Sequence, residues 1–251
     1  MNRKKETWVI GELIMRGKYG VNVFCGQVSK SEESKLKKEA GRYITLNCSP
    51  IIHTSHLALR YVSNILSKQI SSFLISKTVL VVGLGNAFMI ADSLGSRVIQ
   101  DLLVTHEMPD FVRSGLADVS AFISGVSGIN GFPTSNLVKS VVELIKPKQV
   151  IVIDTFTTQS VDRVGCSFQL SNTGITAGAG VGRKNQSLNS HFLGVPVLSV
   201  GVPLMMNVDT IGMKDYVMAP KEIDILCKNC AKIVARALNF SLHGKKYLLY
   251  I

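Results

Sequence analysis

The sequence predicts an α/β protein with a mostly parallel central sheet. Three short apolar runs rich in β-branched residues, at residues 79–82, 150–153 and 196–201, have the composition of strands buried on both faces. Between these runs, apolar residues recur at three- and four-residue spacing, which is typical of helices that pack one face on a sheet. Strands that alternate with helices along a chain favour parallel pairing.

The chain before the first of these strands adds three predicted elements. Residues 21–25 and 43–46 alternate like strands, and residues 55–73 carry apolar positions at near-helical spacing. The length of 251 residues suits one large α/β domain better than two small ones. We therefore expect a single domain over residues 1–251, in which residues 1–40 form a peripheral, divergent N-terminal segment.

The unit around which the chain is organised begins at the strand of residues 79–82. Gly83, Gly85 and Asn86 end that strand, and apolar residues at four-residue spacing predict the helix that follows. Asp92 lies where this helix begins, at the carboxyl end of the strand, where ligands gather in open α/β sheets. A dinucleotide fingerprint would need glycine at residue 88, and no P-loop motif is present. The unit is therefore not built for phosphates.

The rest of the chain repeats this pattern of helices and of strands that are followed by polar residues. A glycine-rich loop at residues 125–131 leads to Thr134, a predicted N-cap, and to a helix that Pro147 stops. The strand of residues 150–153 follows, and Asp154 closes it. The remaining predicted elements are possible short strands at residues 118–123 and 162–170, a glycine-rich stretch at 172–182, a strand at 196–201 ended by Pro203, and a helix at 222–239.

Asp92 and Asp154 follow two strands that are predicted to be parallel, so both lie at the same edge of the sheet. Ionising two neighbouring carboxyl groups costs electrostatic free energy because their negative charges repel. One therefore keeps its proton and acts as an acid, while the other acts as a base. The alternative is two separate cap or turn aspartates, since aspartate is a favoured N-cap.

Other candidate motifs are weaker. Cys227 and Cys230 have CxxC spacing but lie in a helical pattern without a second Cys/His pair, which favours ordinary helix residues over a zinc or redox site. His53 and His56 flank a predicted helix start and have no carboxylate nearby. The sequence therefore indicates no cofactor and no metal.

The composition excludes some classes of protein. Charged residues make up 18% of the chain, and 28 Lys and Arg against 17 Asp and Glu give a net charge of +11. This field attracts acidic partners, but no nucleic-acid motif accompanies the scattered basic residues, so nucleic-acid binding is disfavoured. No apolar run is long enough to span a membrane, and no signal peptide is evident. We expect a cytoplasmic protein.

Several ordered blocks resemble the germination protease (spore protease) family of endospore-forming bacteria. The block VVGLGNAFMIADSLGSRVIQDLLVTHE contains Asp92, and VIVIDTFTTQSVDRV contains Asp154. The resemblance covers residues 40 to 212 in the family's order. The other blocks are GRYITLNCSPII, SGVSGINGFPTSNLVKSVVELIKP, NTGITAGAGVG and LGVPVLSVGVP.

The resemblance implies a three-layer αβα sandwich, similar to the fold of hydrogenase maturation peptidases. It implies a self-processing endopeptidase without an obligatory metal, made as a zymogen, that forms tetramers and cuts small acid-soluble spore proteins in the spore core. The family's essential aspartates correspond to Asp92 and Asp154. We further expect site support from the turns at Gly83, Gly85 and Asn86, and from Asn172, Gly178 and Gly180. In this interpretation Asn86 and backbone N–H groups polarise the scissile carbonyl.

The chain departs from the family pattern beside Asp92. Residues 88–91 are Phe-Met-Ile-Ala, where the family has mostly polar residues, and an apolar collar raises the pKa of a carboxyl group by desolvation. Two alternatives therefore stay open. One is a metal-dependent maturation peptidase, which would need His106 or His191 as a third ligand. The other is a catalytically silent sporulation protein that binds partners through its basic surface.

Overall fold

The computed structural model describes residues 11–51, 55–176, 186–208 and 216–250, which form a nine-stranded sheet with helices packed on both faces. The predicted α/β class is confirmed. The strands are β1 (Glu12–Arg16), β2 (Asn22–Val28), β3 (Gly41–Asn47), β4 (Thr78–Leu84), β5 (Asp118–Gly125), β6 (Gln149–Thr158), β7 (Ser167–Ser171), β8 (Val197–Asn207) and β9 (Val217–Met218). The α-helices are α1 (Glu33–Leu36), α2 (His56–Ser71), α3 (Leu94–Gln100), α4 (Asp110–Arg113), α5 (Ser127–Asn130), α6 (Thr134–Ile145), α7 (Ser190–Leu193) and α8 (Ile223–His243).

The sheet has two halves with different pairing. Its strand order is β1-β2-β3-β7-β8-β6-β4-β5, and β9 pairs with β8 beside this path. Strands β8, β6, β4 and β5 are parallel to one another. Strands β1, β2, β3 and β7 pair antiparallel, and β7 joins them to β8. Parallel pairing, which the sequence predicted for most of the sheet, is thus confined to the half built from the buried apolar runs.

Each face of the sheet carries its own hydrophobic core. On the first face, Val79 and Val81 of β4 pack in a cluster with apolar residues of α2, α3 and α8. On the second face, Leu80 and Val82 pack in a smaller cluster with residues of α6 and α7. Successive strand residues point to opposite faces, so a continuous apolar run is required where both faces are covered. The layers are therefore helix, sheet and helix.

The predicted element ends at Asp154, Pro203 and Thr134 are wrong. Asp154 does not close its strand, because β6 runs from Gln149 to Thr158. Pro203 does not end its strand, because β8 continues to Asn207. Pro203 pairs with Phe156 at the point where the register of β6 and β8 shifts, and a bulge tolerates a residue that has no backbone N–H. Thr134 is the first residue of α6, whose N-cap is Pro133, and no side chain caps that helix.

The two cysteines and His56 of the weaker motifs fall within regular structure. Cys227 and Cys230 lie buried inside α8, as the helical pattern predicted. His56 is the first residue of α2, and His53 lies outside the described residues. Within the described part of the chain, no helix combines the length and the apolar character that crossing a membrane requires.

Candidate active site

A cavity of about 710 Å³ lies at the edge of the sheet where the parallel strands end, which we call the carboxyl edge. Both predicted aspartates line it. Asp92 lies in the connection that follows β4, and Asp154 lies in β6, the strand that pairs with β4. The turn residues Gly85 and Asn86 line the same cavity. The structure therefore brings together the residues that the sequence placed at this edge.

Asp92 is held by the turn that follows β4. A short 3₁₀ turn, Ile90–Asp92, carries it, and the backbone N–H of Asn86 donates to Asp92 Oδ2 across 2.8 Å. Burial raises the pKa of the Asp92 carboxyl, and this hydrogen bond partly offsets the rise because it favours the charged form. The capping alternative is wrong for Asp92, because Ser93 is the N-cap residue of α3.

Glycines make this turn possible. Gly85 has a φ of +96°, and a Cβ at this position would collide with the carbonyl oxygen of Asp92. A Cβ on Gly83 would lie 2.5 Å from the carbonyl oxygen of Gly95 in α3, and a Cβ on Gly95 would collide with the backbone of Leu84. The helix that follows Asp92 can therefore pack directly against β4, which fixes where the carboxyl group stands.

Asp154 is more deeply buried than Asp92. Its residue is 6% exposed, and the backbone N–H of Thr155 donates to Asp154 Oδ1 across 2.8 Å. Burial, and then the negative charge of Asp92, raise the pKa of Asp154 to about 8. Near neutral pH the folded protein therefore keeps a proton on Asp154, and the negative charge of Asp92 is one of the two causes. One protonated and one ionised carboxyl group can supply an acid and a base.

Two of the other residues predicted to support the site, Asn86 and Asn172, use their side chains to stabilise the local backbone. Asn86 Oδ1 accepts the backbone N–H of Phe88 across 2.9 Å, so its side chain stabilises the turn. Asn172 Oδ1 accepts the backbone N–H of Arg42 across 2.8 Å and holds the junction of β3 and β7. Asn172 is not among the described residues that line the cavity. Gly178 and Gly180 lie outside the described residues.

The two histidines considered as metal ligands lie away from the aspartates. His106 Nδ1 lies 2.8 Å from Asp118 Oδ1, at the start of β5, and β5 begins beside the first residue of β4. His191 lies in α7, before β8 begins, and neither histidine is among the described residues that line the cavity. Within the described ranges, no three His, Cys, Asp or Glu side chains are grouped so that they would hold a metal ion.

The structure adds cavity residues that sequence reasoning missed. A polar floor extends from Asp154 across β8, β7 and β3, and includes Ser199 and Ser171, whose hydroxyl oxygens lie 2.7 Å apart. Lys37 and Lys38 line the cavity beside the start of β3. The alternation of polar and apolar residues in SFQLS was the available signal for β7, but the sequence did not show which strands it joins.

Fold and site together define an α/β protein in which two coupled carboxyl groups share one cavity at the carboxyl edge of parallel strands. The family model described as germination protease matches residues 3–217 of the chain. The germination protease of Bacillus subtilis strain 168 is 38% identical over an alignment of 211 positions, gaps included, which covers 79% of this chain and 57% of the relative. That of Clostridium perfringens strain SM101 is 31% identical over an alignment of 264 positions, gaps included, which covers 85% of this chain and 81% of the relative.

The chain belongs to the germination protease family, a family of peptidases. It spans little more than half the length of the Bacillus subtilis relative, 57%, and 81% of the germination protease of Caldanaerobacter subterraneus, to which it is 31% identical over 84% of this chain. Among solved structures, the [NiFe] hydrogenase maturation protease HycI of Thermococcus kodakarensis KOD1 matches 68% of this chain and 98% of its own, at 16% identity and a TM-score of 0.42.

Proposed function

We propose that this chain is an endopeptidase that hydrolyses peptide bonds with Asp92 and Asp154 as an acid/base pair. The observation that carries the proposal is the cavity that both carboxyl groups line, in which the charge of Asp92 helps to raise the pKa of Asp154 to about 8. A perturbed pair of titratable groups in a cleft is typical of a catalytic site. Membership of a peptidase family supports the same reaction.

The two carboxyl groups have different environments, which assigns them different roles. Asp92, ionised and bonded to the Asn86 N–H, takes a proton from a water molecule as the water oxygen attacks the scissile carbonyl carbon. Asp154, which holds a proton near neutral pH, donates it to the leaving amine as the C–N bond breaks. After the cut, the proton that Asp92 took from water passes to Asp154, which restores the starting state. The reaction consumes one water molecule for each bond cut.

The proposed substrates are small acid-soluble spore proteins, which the family resemblance implies. The net charge of +11 favours substrate segments that carry negative charge. Lys37 and Lys38 line the same cavity as the aspartates and give it positive charge. The resemblance further implies a tetramer in the spore core that is made as a zymogen. Sedimentation of the purified protein would test the tetramer directly.

The decisive experiment is a cleavage assay on a small acid-soluble spore protein, with Asp92→Asn and Asp154→Asn variants and a chelator control. We expect defined cuts whose rate falls about 1,000-fold in either variant, because each removes one proton-transfer group. The rate should also fall as the pH rises through about 8, where Asp154 loses its proton. Cuts that a chelator abolishes would instead favour the metal-dependent alternative.

A second candidate is a catalytically silent protein that binds sporulation partners. Its support is the exposed apolar segment beside Asp92, where Phe88 is 85% exposed and Met89 and Ile90 are 45% and 42% exposed. Exposed apolar residues close together often mark a binding surface. A folded wild-type protein that binds spore proteins but cuts neither them nor itself would overturn the peptidase proposal in favour of this candidate.

A further inference from the structure

One hydrogen-bond donor of the candidate active site is oriented by the turn after β4 but is not used by it. Asn86 lines the cavity, and its backbone N–H donates to Asp92 Oδ2 across 2.8 Å. Its side-chain Oδ1 accepts the backbone N–H of Phe88 across 2.9 Å. Only the oxygen of an amide can accept that bond, so the bond fixes which end of the side chain is Nδ2.

The Nδ2 atom of Asn86 is accessible and lies close to Asp92. Asn86 is half-buried, and among the described residues its Nδ2 has no hydrogen-bond partner and is not one of the fully buried unpaired atoms. The side-chain amide of an asparagine lies within about 5 Å of its own backbone nitrogen. That nitrogen is bonded to Asp92. A peptide bond placed against Asp92 therefore comes within reach of this donor.

We propose that Asn86 Nδ2 donates a hydrogen bond to the oxygen of the scissile carbonyl and stabilises the negative charge that develops there. The inference rests on the proposed peptidase function and adds a catalytic residue to the two aspartates. The sequence predicted a polarising role for Asn86, and the hydrogen bonds of the turn leave only Nδ2 to fill it.

The proposed reaction requires a donor at this oxygen. When water attacks the carbonyl carbon, negative charge develops on the carbonyl oxygen. The proton of Asp154 goes to the leaving amine, and the ionised Asp92 can only accept, so neither carboxyl group compensates that charge. The hydroxyl groups of Ser171 and Ser199, which also line the cavity, bond to each other across 2.7 Å. Asn86 is a neutral donor, so it keeps its N–H at every pH at which the aspartates work.

A second asparagine has the same turn with its donor in use. Asn130 Oδ1 accepts the backbone N–H of Phe132 across 3.0 Å, as Asn86 Oδ1 accepts that of Phe88. Asn130 Nδ2, however, donates to the carbonyl oxygen of Ser124 across 2.9 Å. Asn130 is not among the described residues that line the cavity. The two asparagines therefore form a matched pair that differs in the use of Nδ2.

The test compares Asn86→Asp with Asn130→Asp, because aspartate keeps the oxygen that accepts the turn N–H but has no N–H of its own. We expect Asn86→Asp to lower kcat about 100-fold with little change in KM, since the proposed bond strengthens as the oxyanion forms. Rates are measured across pH, because the added charge shifts the pH profile whereas the lost donor lowers kcat at its maximum. Asn130→Asp adds the same charge and loses its bond to Ser124, so its Tm should fall by about 3 °C with maximal kcat unchanged.

A neutral pair, Asn86→Ala and Asn130→Ala, repeats the comparison without the added charge. Both variants lose the turn bond, and only Asn86→Ala should lose maximal kcat. The defect that Asn86→Asp and Asn86→Ala share is the missing donor.

Three results would contradict the role of Asn86 while wild type cuts, and each would leave the peptidase proposal standing. They are an Asn86→Asp variant with the maximal kcat of wild type, equal losses of kcat in Asn86→Asp and Asn130→Asp, and a loss of kcat in Asn86→Ala alone, which would assign Asn86 to the turn. A wild-type protein that cuts nothing would overturn both proposals.

Discussion

Polar groups are paired at one edge of the parallel strands and poorly satisfied at the other. At the amino edge, where these strands begin, polar side chains are paired. Asp118 Oδ1 lies 2.8 Å from His106 Nδ1 and 3.2 Å from Arg113 Nη1. The buried Thr105 hydroxyl makes two hydrogen bonds, and the buried Asn239 amide bonds to the chain on both sides of Leu102. These polar groups are satisfied within the fold.

At the carboxyl edge, the polar groups are left poorly satisfied. Asp154 is almost completely buried and has a pKa raised to about 8 by burial and by the charge of Asp92. The pKa of Asp92 is raised by burial as well, and the Thr155 hydroxyl is buried without a partner among the described residues. Every one of these features lowers the stability of the folded state.

The comparison indicates which groups of the fold are available to interact with a substrate. Groups that are fully paired in the free protein gain nothing from a substrate, whereas poorly satisfied groups gain hydrogen bonds and charge compensation when one binds. Stability at the amino edge can offset the cost of the carboxyl edge, as is common when function conflicts with stability. Substitutions at the two edges should therefore have opposite effects on stability and activity.

The largest stability effect is expected for Asp154→Asn. In the unfolded chain this carboxyl group ionises near its ordinary value of 3.8, but in the folded protein it keeps its proton up to about pH 8. Ionisation of the unfolded chain thus destabilises the folded state progressively as the pH rises from about 4 to about 8. Asparagine keeps the acceptor for the Thr155 N–H and cannot ionise. The variant should be more stable than wild type at pH 8, by up to about 5 kcal/mol, and nearly equal at pH 4.

Denaturant unfolding at several pH values measures this difference. Asp118→Asn is the matched control, because it makes the same substitution at an aspartate that is paired with His106 and Arg113. It should not become more stable than wild type at high pH. An Asp154→Asn variant whose stability tracked wild type at every pH would show that the two edges do not differ as described.

Gly85→Ala should have the next largest effect, because it distorts the turn that holds Asp92. Gly85 has a φ of +96°, and an added Cβ would collide with the carbonyl oxygen of Asp92. We expect a loss of about 3 kcal/mol in unfolding free energy and a fall in cleavage rate as Asp92 moves. Gly194→Ala is the control, since Gly194 has a φ of +71° but open space around its Cβ position. It should cost about 1 kcal/mol and leave cleavage unchanged. Equal losses in the two variants would refute the close contact.

Much of this carboxyl edge could be predicted from the sequence. The apolar runs identified β4 and β6 because both faces of the sheet are covered there, and the rule for parallel strands placed Asp92 and Asp154 at one edge. The glycines at positions 83 and 85 indicated the turn. Only the structure, in which α3 packs against β4, shows that a Cβ at either position would collide with neighbouring backbone atoms.

The rest depends on contacts between distant parts of the chain. The insertion of β7 between β3 and β8, which makes half of the sheet antiparallel, follows from long-range pairing that local patterns do not encode. The continuation of β8 through Pro203 depends on a bulge against β6. Whether a threonine hydroxyl is paired, as in Thr105, or has no partner among the described residues, as in Thr155, depends on which backbone groups the fold brings beside it.

The smallest of these effects is expected at the amino edge, for Asn239→Ala. The Asn239 Oδ1 accepts the N–H of Leu103 and its Nδ2 donates to the carbonyl oxygen of Asp101, each across 2.9 Å. Removing the amide leaves both backbone groups without their partner, so unfolding free energy should fall by about 2 kcal/mol. Cleavage should not change, because this contact lies at the edge opposite Asp92.

Asn229→Ala is the matched control for this last substitution, since the half-buried Asn229 lies in the same helix and donates one hydrogen bond, to the carbonyl oxygen of Ile51. It should cost about 1 kcal/mol. Chemical denaturation and the cleavage assay, run on both variants, measure the two quantities separately. An Asn239→Ala variant that lost cleavage in proportion to its stability would show that the amino edge also supports the reaction, and the division between the two edges would then be wrong.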